Sequence, residues 1–383
     1  MKKNLYMMYA IALLQGMVFY SPVATLYRQA QGVTVFQITV IESISLGLGI
    51  VLEIPWGVIA DRIGYRKTTI FCSAIYFLSK IVFWKATGFG GFLAERIMLS
   101  VVIAGLSGVD SSIIYLSCRK ESDCQKAFGI YNSMGMVGLL ISAAVFSVWI
   151  QDNYALAGFL TVISYGIATL LLLFIAEVKP AKSEHTPSEP FKATFQKTIS
   201  NRTLVLFLIA SALLSETHQT ITVFLNQLQY ERCGLNSSAI GVIYIAATLL
   251  GLLGVYSSAI TVCAGVRRSI LLFCGLAILS CVVLGLTDYA IPSVIGIFTL
   301  RISNTLFEPL QQTMQNKQVD AQNRATALSI HAMLIDCIAI ATNLIFGALS
   351  DWNLPSAFFF GGIICTLSLI LLRIWQKKTQ ILR

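Results

Sequence analysis

Ionisable side chains lie inside otherwise apolar stretches of this sequence. A charge surrounded by hydrocarbon is costly unless it faces protein or water, so each of these residues is a candidate for function. Because burial disfavours the charged form of a carboxyl group, a lone buried Glu or Asp can exchange a proton near neutral pH. The residues are Glu42, Glu53, Glu95, Arg96, Asp110, Glu216, His218, Arg301, Glu308, His331 and Asp336.

The clearest pattern of this kind lies in residues 291–316. Arg301, Asn304 and Glu308 recur there at intervals of three and four residues, and a glutamine follows at each of positions 311, 312 and 315. At 3.6 residues per turn, such side chains share one face of a helix. The stripe predicts a helix that lines a polar cavity. A buried Arg301–Glu308 pair that fixes helix register is the alternative.

Two further groups of candidates lie in other apolar runs. Glu216 and His218 are two residues apart, about 200° around a helix, so they cannot serve one ligand from a common face. The sequence leaves open which of the two faces a cavity. Asp336 is placed near the middle of its run. Glu42 lies three helical turns from Glu53 on the same face, where it would line an outer vestibule.

The elements that position these residues are long apolar helices. Of the 383 residues, 56% are hydrophobic and 12% are charged, whereas soluble domains are about half apolar and about a quarter charged. Twelve runs are long enough for a helix to cross ~30 Å of hydrocarbon. They predict an all-α integral membrane protein with twelve transmembrane helices. The runs lie near 5–27, 37–60, 68–87, 91–117, 127–150, 154–177, 203–229, 237–261, 268–287, 291–316, 325–349 and 355–375.

One long polar stretch separates six runs from six. It predicts an N-terminal six-helix half at 1–178, a cytoplasmic central loop at 179–202 and a C-terminal six-helix half at 203–383. With the N-terminus inside, 21 of the 27 basic residues fall on the cytoplasmic side. This bias predicts cytoplasmic termini in the inner membrane. The net charge of +9 is scattered between apolar runs, so no nucleic acid partner is expected.

The two halves of the sequence repeat each other. The residues between runs 2 and 3 read GVIADRIGYRK, and those between runs 8 and 9 read SAITVCAGVRR. Alignment of Gly64 with Gly265 places the basic pair 66–67 over the basic pair 267–268. Two six-helix halves in the same orientation form a parallel repeat, an arrangement typical of transporters whose substrate binds between the halves near the midplane.

The stretch GVIADRIGYRK resembles the loop signature between helices 2 and 3 of the major facilitator superfamily, Gly-x-x-x-Asp-Arg-x-Gly-Arg-Arg/Lys. The matching residues are Gly57, Asp61, Arg62, Gly64, Arg66 and Lys67. The resemblance implies an inner gate in which Asp61 contacts the cytoplasmic end of helix 11, where the helix dipole favours a carboxylate. Glu53 would be a partner in this gate, and Asp110 could pair with its arginines. Charges that only anchor the loop to the membrane surface are the alternative.

The resemblance also implies a secondary transporter that binds a small molecule and works as a monomer in the lipid bilayer. The sequence has no Gly-x4-Gly-Lys-Ser/Thr motif for ATP, so protons are the expected energy source. Glu308→Gln is expected to abolish proton coupling.

The acids within the runs favour export of small amphipathic or cationic compounds by a drug-efflux-like antiporter. Uptake or facilitated transport of a small metabolite is the alternative.

Other functional classes find less support in the sequence. Cys118 and Cys124 share a loop but lack the further ligands that zinc requires, so no metal and no cofactor is expected. The pattern HAMLID places His331 and Asp336 about 140° apart on one helix, too far around it for a general base and its orienting group. No enzyme activity is therefore expected. A receptor or scaffold of the same fold is the remaining alternative.

Overall fold

The computed structural model of the chain describes residues 2–107, 109–118, 121–178, 191–318 and 324–379. All regular secondary structure in these residues is helical, and no strand occurs among them. This confirms the prediction of an all-α protein.

Twelve helical spans follow one another in the described part of the chain. Eleven are long and apolar enough to cross a membrane. Span 3 also has 21 residues, but Lys80 and Lys85 lower its mean hydropathy. The spans are Lys2–Gly16 with Ser21–Val23 and Ala24–Ala30 (span 1), Val35–Ile63 (2), Tyr65–Lys85 (3), Gly88–Leu106 with Val109–Ser117 (4), Glu121–Val145 with Phe146–Ile150 (5), Tyr154–Leu172 (6), Arg202–Thr220 with Ile221–Leu225 and Asn226–Arg232 (7), Ser237–Leu250 with Gly251–Tyr256 and Ser257–Ala264 (8), Val266–Leu286 (9), Ala290–Lys317 (10), Arg324–Trp352 (11) and Leu354–Thr379 (12). The shorter helix Phe191–Ser200 precedes span 7.

Large apolar side chains are exposed on the surface of the helices, where they would contact lipid. Trp149, Tyr289 and Trp352 are among the most exposed of them, at 77%, 78% and 78%. All three lie at span ends that face the same side when successive spans alternate in direction. Aromatic side chains of this kind are enriched at the boundary between hydrocarbon and water. The chain is therefore a multi-pass membrane protein.

Span 1 is interrupted, although the sequence predicts one continuous helix over 5–27. Its first helix ends at Gly16 and the next helical turn begins at Ser21. Backbone groups freed at membrane depth must find other partners, and hydroxyl groups of span 6 supply them. The bonds are Phe19 N to Thr161 Oγ1 (3.0 Å), Ser164 Oγ to Leu14 O (2.6 Å) and Tyr165 OH to Gln15 O (2.6 Å). The interruption is thus stabilised by a neighbouring helix that the local sequence does not reveal.

The internal repeat is visible in the backbone of two glycines. Gly64 has φ 95° and ψ 147°, and Gly265 has φ 80° and ψ 148°. Such positive φ values favour glycine. Each glycine precedes a helix of 21 residues, Tyr65–Lys85 and Val266–Leu286. The predicted alignment of the two loops is confirmed.

The helices form two compact units. The first contains Met1–Thr34, Ile44–Glu184 and Ser237–Ile245, and the second contains Val35–Ser43, His185–Asn236 and Ala246–Arg383. Apart from the short segments from spans 2 and 8, these units correspond to the two halves of the sequence. The predicted boundaries at 1–178, 179–202 and 203–383 stay a prediction.

Spans 1 and 5 approach closely in the first unit because glycine lies at their contact. A Cβ on Gly138 would overlap the carbonyl of Leu13, whereas a Cβ on Gly129 in the same helix would meet nothing within 4 Å.

We expect Gly138→Ala to destabilise the protein by about 1–3 kcal/mol through overpacking. Gly129→Ala should be neutral or slightly stabilising, because Ala favours helix over Gly. Unfolding of both variants in detergent micelles checks this. Equal stabilities would contradict it.

Candidate functional site

Three hydrogen bonds between polar side chains join spans 7, 10 and 11 within the second unit, at different depths along the helices. Each of the three helices is bonded to each of the other two. The pairs are Ser215 Oγ with Gln311 Oε1 (3.0 Å), Thr220 Oγ1 with Asn343 Oδ1 (2.6 Å) and Gln315 Nε2 with His331 Nδ1 (3.2 Å). Two glutamines of the predicted stripe on span 10 therefore bond to neighbouring helices inside the unit.

Glu216 and Asp336 lie on spans 7 and 11, each between two residues that form these hydrogen bonds. Glu216 is half-buried, and Asp336 is near enough for the two carboxylates to repel each other. The Thr220–Asn343 bond, one turn beyond Glu216, holds the two helices together here. Two neighbouring carboxylates in apolar surroundings cannot both be ionised cheaply. A proton or a cation bound to this pair would relieve the repulsion.

His218 faces a different neighbour. It is 3% exposed, and Arg301 on span 10 is close enough to interact with it electrostatically. The hydroxyl of Thr222 lies 3.4 Å from His218 Nε2. The guanidinium of Arg301 also approaches span 8, where a Cβ on Gly251 would lie 3.6 Å from Nη2. The structure thus places Glu216 beside an acid and His218 beside a base.

Two buried polar atoms of span 10 have no hydrogen-bond partner among the described residues. They are Arg301 Nε, a donor, and Asn304 Oδ1, an acceptor. An unpaired buried polar group costs about 1–3 kcal/mol, and in native proteins a water or a bound molecule commonly supplies the missing partner. The two atoms lie one turn apart on one helix. They suit a small molecule that carries both an acceptor and a donor.

Glu308 lies on the exposed side of span 10. Its Oε1 accepts a hydrogen bond from Gln312 Nε2 at 3.2 Å, and both residues are exposed. The helix continues through Pro309 from Ala290 to Lys317. An open pocket follows on the same helix, lined by Pro309, Gln312, Thr313, Asn316 and Lys317. Glu308 therefore differs from Gln311, which is buried and bonded to span 7.

Several predicted inner-gate residues have side chains outside the described residues. They are Glu53, Gly57, Asp61 and Arg62. Of the remainder, Lys67 is exposed, and Arg66 donates to the carbonyls of Ile175 at 2.6 Å and Leu173 at 3.0 Å. Within the first unit, Arg66 therefore binds carbonyls just past the end of span 6, where the helix dipole favours a cation.

Asp110 and Glu42 lie in different units. Asp110, in the first unit, accepts a hydrogen bond from the Tyr131 hydroxyl at 3.2 Å. Glu42 is 6% exposed and belongs to Val35–Ser43, which packs in the second unit. A gate role for Asp110 and a vestibule role for Glu42 stay predictions.

A buried charged cluster lies in the first unit, and sequence reasoning missed it. Lys80 and Glu95 are 5% and 1% exposed, and Lys80 Nζ lies 3.8 Å from Glu95 Oε1. Lys80 also donates to the Tyr20 hydroxyl at 3.2 Å. Its ammonium group lies over the rings of Tyr76 and Tyr165, at 5.0 and 5.2 Å from their centroids. Cation–π contacts of this kind stabilise a desolvated ammonium.

This cluster shows that one of the acids within the spans, Glu95, has a basic partner. The carboxylate of Glu95 is paired with the ammonium group of Lys80. A signal for the pair was present in the sequence. Lys80 lies five residues before the end of span 3 and Glu95 seven residues after the start of span 4, and a short turn joins the two spans. Opposite charges at similar distances from a tight turn reach similar depths in the membrane.

Twelve helical spans, eleven of them apolar enough to cross a membrane, a parallel internal repeat and polar groups inside the helices define the fold of a secondary transporter. The family model described as Major Facilitator Superfamily matches residues 5–334. The chain therefore belongs to this superfamily, a family of transporters rather than enzymes, as the residues of GVIADRIGYRK indicate. Its substrate is accordingly a small molecule.

Solved structures of transporters share this fold. The nucleoside transporter NupG aligns with a TM-score of 0.81 and 14% identity over 98% of this chain and 99% of its own. The D-xylose-proton symporter aligns with a TM-score of 0.70 and 13% identity, over 96% of each chain. A bacterial homolog to the human lysosomal transporter Spinster gives 0.69 and 16%, over 97% of this chain and 94% of its own. No curated protein sequence matches the chain.

Proposed function

We propose that this protein is a proton-coupled secondary transporter that works by alternating access. The Glu216–Asp336 pair in the second unit carries the proposal, because uptake of one proton relieves the repulsion between the two carboxylates. One charge that crosses a potential of 100 mV provides about 2.3 kcal/mol. The proposal includes a monomer in the inner membrane, and the distribution of basic residues predicts that both termini lie in the cytoplasm.

Export of small amphipathic or cationic compounds is the first candidate activity. A cation and a proton would compete for the same carboxylates, since either one neutralises the pair. Binding of one would release the other, which is the condition for exchange across the membrane. The acid pair therefore supports an antiporter.

Uptake of a small polar metabolite is the second candidate activity. It is favoured by Arg301 Nε and Asn304 Oδ1, a donor and an acceptor that lack partners among the described residues. Hydroxyl and amide groups on the same three helices add further hydrogen-bonding capacity. They belong to Ser215, Thr220, Gln311 and Asn343. Solved structures of similar fold include transporters of nucleosides and of D-xylose.

Internal pH in proteoliposomes that hold a proton gradient distinguishes these activities. A pool of amphipathic cations and a pool of neutral and acidic metabolites are added in separate experiments. Collapse of the gradient with the cations alone supports the exporter, and collapse with the metabolites alone supports uptake. Arg301→Lys is the variant to compare. It keeps the charge but loses the Nε donor, so it should impair metabolite flux more than cation flux.

A gradient that survives both pools, in vesicles where an ionophore collapses it, would contradict proton coupling to these solutes. Transport of a labelled pool component without any change in pH would identify a facilitator instead.

A further inference from the structure

The end of span 11 holds the first turn of span 2. Asp351 Oδ1 accepts a hydrogen bond from the Val35 amide at 2.9 Å, and Asp351 Oδ2 accepts one from the Phe36 amide at 3.2 Å. The first amides of a helix have no partner within the helix, and the helix dipole favours a carboxylate at this end. Both oxygens of one side chain thus cap a helix that begins 316 residues earlier.

Gly347 allows the two helices to come close beside this cap. A Cβ at Gly347 would overlap Thr39 Oγ1 and would lie 3.0 Å from Phe36 Cα. The backbone of Phe36 cannot yield as a flexible side chain can, so the contact requires glycine. Gly347 and Asp351 are one turn apart on the same face of span 11. Together they form a two-point contact with the first turns of span 2.

Span 2 contributes to both compact units. Val35–Ser43 packs in the second unit with span 11, whereas the residues from Ile44 onward pack in the first. The contacts with Gly347 and Asp351 are among those that join the start of span 2 to the second unit.

The residues of this contact repeat a spacing found at the other end of span 2. Span 11 closes with Gly347-Ala-Leu-Ser-Asp351, and span 2 closes with Gly57-Val-Ile-Ala-Asp61. Both are Gly-x-x-x-Asp at the C-terminal end of a long helix. The resemblance to the superfamily signature implies that Asp61 acts on the start of span 11. Asp351 caps the start of span 2. The two helices thus carry the same motif, and the resemblance implies for Asp61 the capping role that Asp351 has in the structure.

We propose that Gly347 and Asp351 form an outer latch, the counterpart of the inner gate at Asp61, that must open each time the transporter opens outward. The proposal rests on the proposed alternating access. Gly347 and Asp351 are positioning residues in it. Gly347 sets the distance between the helices, and Asp351 supplies a charge-assisted cap that exists only while the contact is made. Closure of one Gly-x-x-x-Asp contact would accompany opening of the other.

A static helix cap is the alternative role for Asp351. A static cap stabilises the fold in every conformation, and its removal costs about 1 kcal/mol of stability. A latch stabilises only one conformation. Its removal shifts the population of conformations, and it lowers the unfolding temperature less than loss of a static cap does, because the conformation without the contact takes over. A distance measurement across the outer side separates the two roles.

The experiment measures electron–electron distances between spin labels at two exposed outer positions, Thr87→Cys and Tyr289→Cys. Cys263 and Cys337, the exposed cysteines among the described residues, are first replaced by serine. Asp351→Ala and Gly347→Ala are compared with Asp152→Asn, which alters an exposed aspartate near the outer end of span 5. Asp351→Asn keeps the shape of the side chain and serves if the alanine variant does not fold.

We expect Asp351→Ala to raise the ratio of long to short distances about fivefold, the factor that the free energy of one helix cap provides, and Gly347→Ala to raise it in the same direction. Asp152→Asn should leave the ratio unchanged. An unchanged ratio with a lowered unfolding temperature would assign the contact to static capping and overturn the latch. The measurement needs neither substrate nor protons, so failure of proton coupling in proteoliposomes would leave its outcome interpretable.

Discussion

Replacing Lys80 by methionine should lower the free energy of unfolding by about 3–5 kcal/mol, because it leaves the Glu95 carboxylate buried without its partner. Lys80 Nζ and Glu95 Oε1 are 3.8 Å apart, and both side chains are almost fully buried. Glu95 Oε2 has no hydrogen-bond partner in the part of the chain that the structure describes. Methionine keeps most of the apolar stem that packs against Tyr76 and Tyr165. Unfolding in detergent micelles, followed by tryptophan fluorescence, measures the loss.

The double variant Lys80→Met, Glu95→Gln is the decisive control. A buried ion pair replaced by neutral groups of similar size often costs little, so the double variant should recover most of the lost stability. Lys85→Met changes an exposed lysine of the same helix and should have an effect within about 0.5 kcal/mol. A single variant as stable as the double variant would show that Glu95 does not depend on Lys80.

Replacing Glu216 by glutamine should abolish proton-driven flux, with a loss of about 100-fold or more, because glutamine cannot exchange a proton. Glutamine keeps the size of the side chain and removes the repulsion with Asp336, so stability should be retained. Solute exchange without a proton gradient should also be retained, since that process moves no net protons. The measurement uses the solute pool that collapses the gradient in the unaltered protein, first with and then without a gradient.

Two further variants decide which acid carries the proton. Asp336→Asn should resemble Glu216→Gln, because either change removes one member of the repelling pair. Glu308→Gln tests the expectation drawn from the stripe on span 10. Glu308 is exposed and bonded to Gln312, whereas the nearby Gln311 is buried. Full proton coupling in Glu216→Gln together with its loss in Glu308→Gln would transfer the proton site to Glu308.

Much of the candidate site was predictable as a set of residues but not as an arrangement. The helical spacing of the stripe on span 10 picked out Arg301 and Asn304, whose unpaired atoms now suggest a binding role. The angle between Glu216 and His218 correctly indicated different faces. Neither pattern shows which residue of another helix lies against each face. The structure supplies it, with Asp336 near Glu216 and Arg301 near His218.

The sequence by itself determined that this is a twelve-span membrane protein with an internal repeat and a place in the superfamily. Hydropathy, the distribution of basic residues and the Gly-x-x-x-Asp-Arg-x-Gly signature are local properties, readable without knowing which helices touch. The tertiary structure decided the support of the broken span 1 by span 6 and the capping of span 2 by Asp351. These features arise where residues distant in the chain reach the same depth on facing helices. That coincidence depends on the packing of the whole bundle and not on any one stretch of sequence.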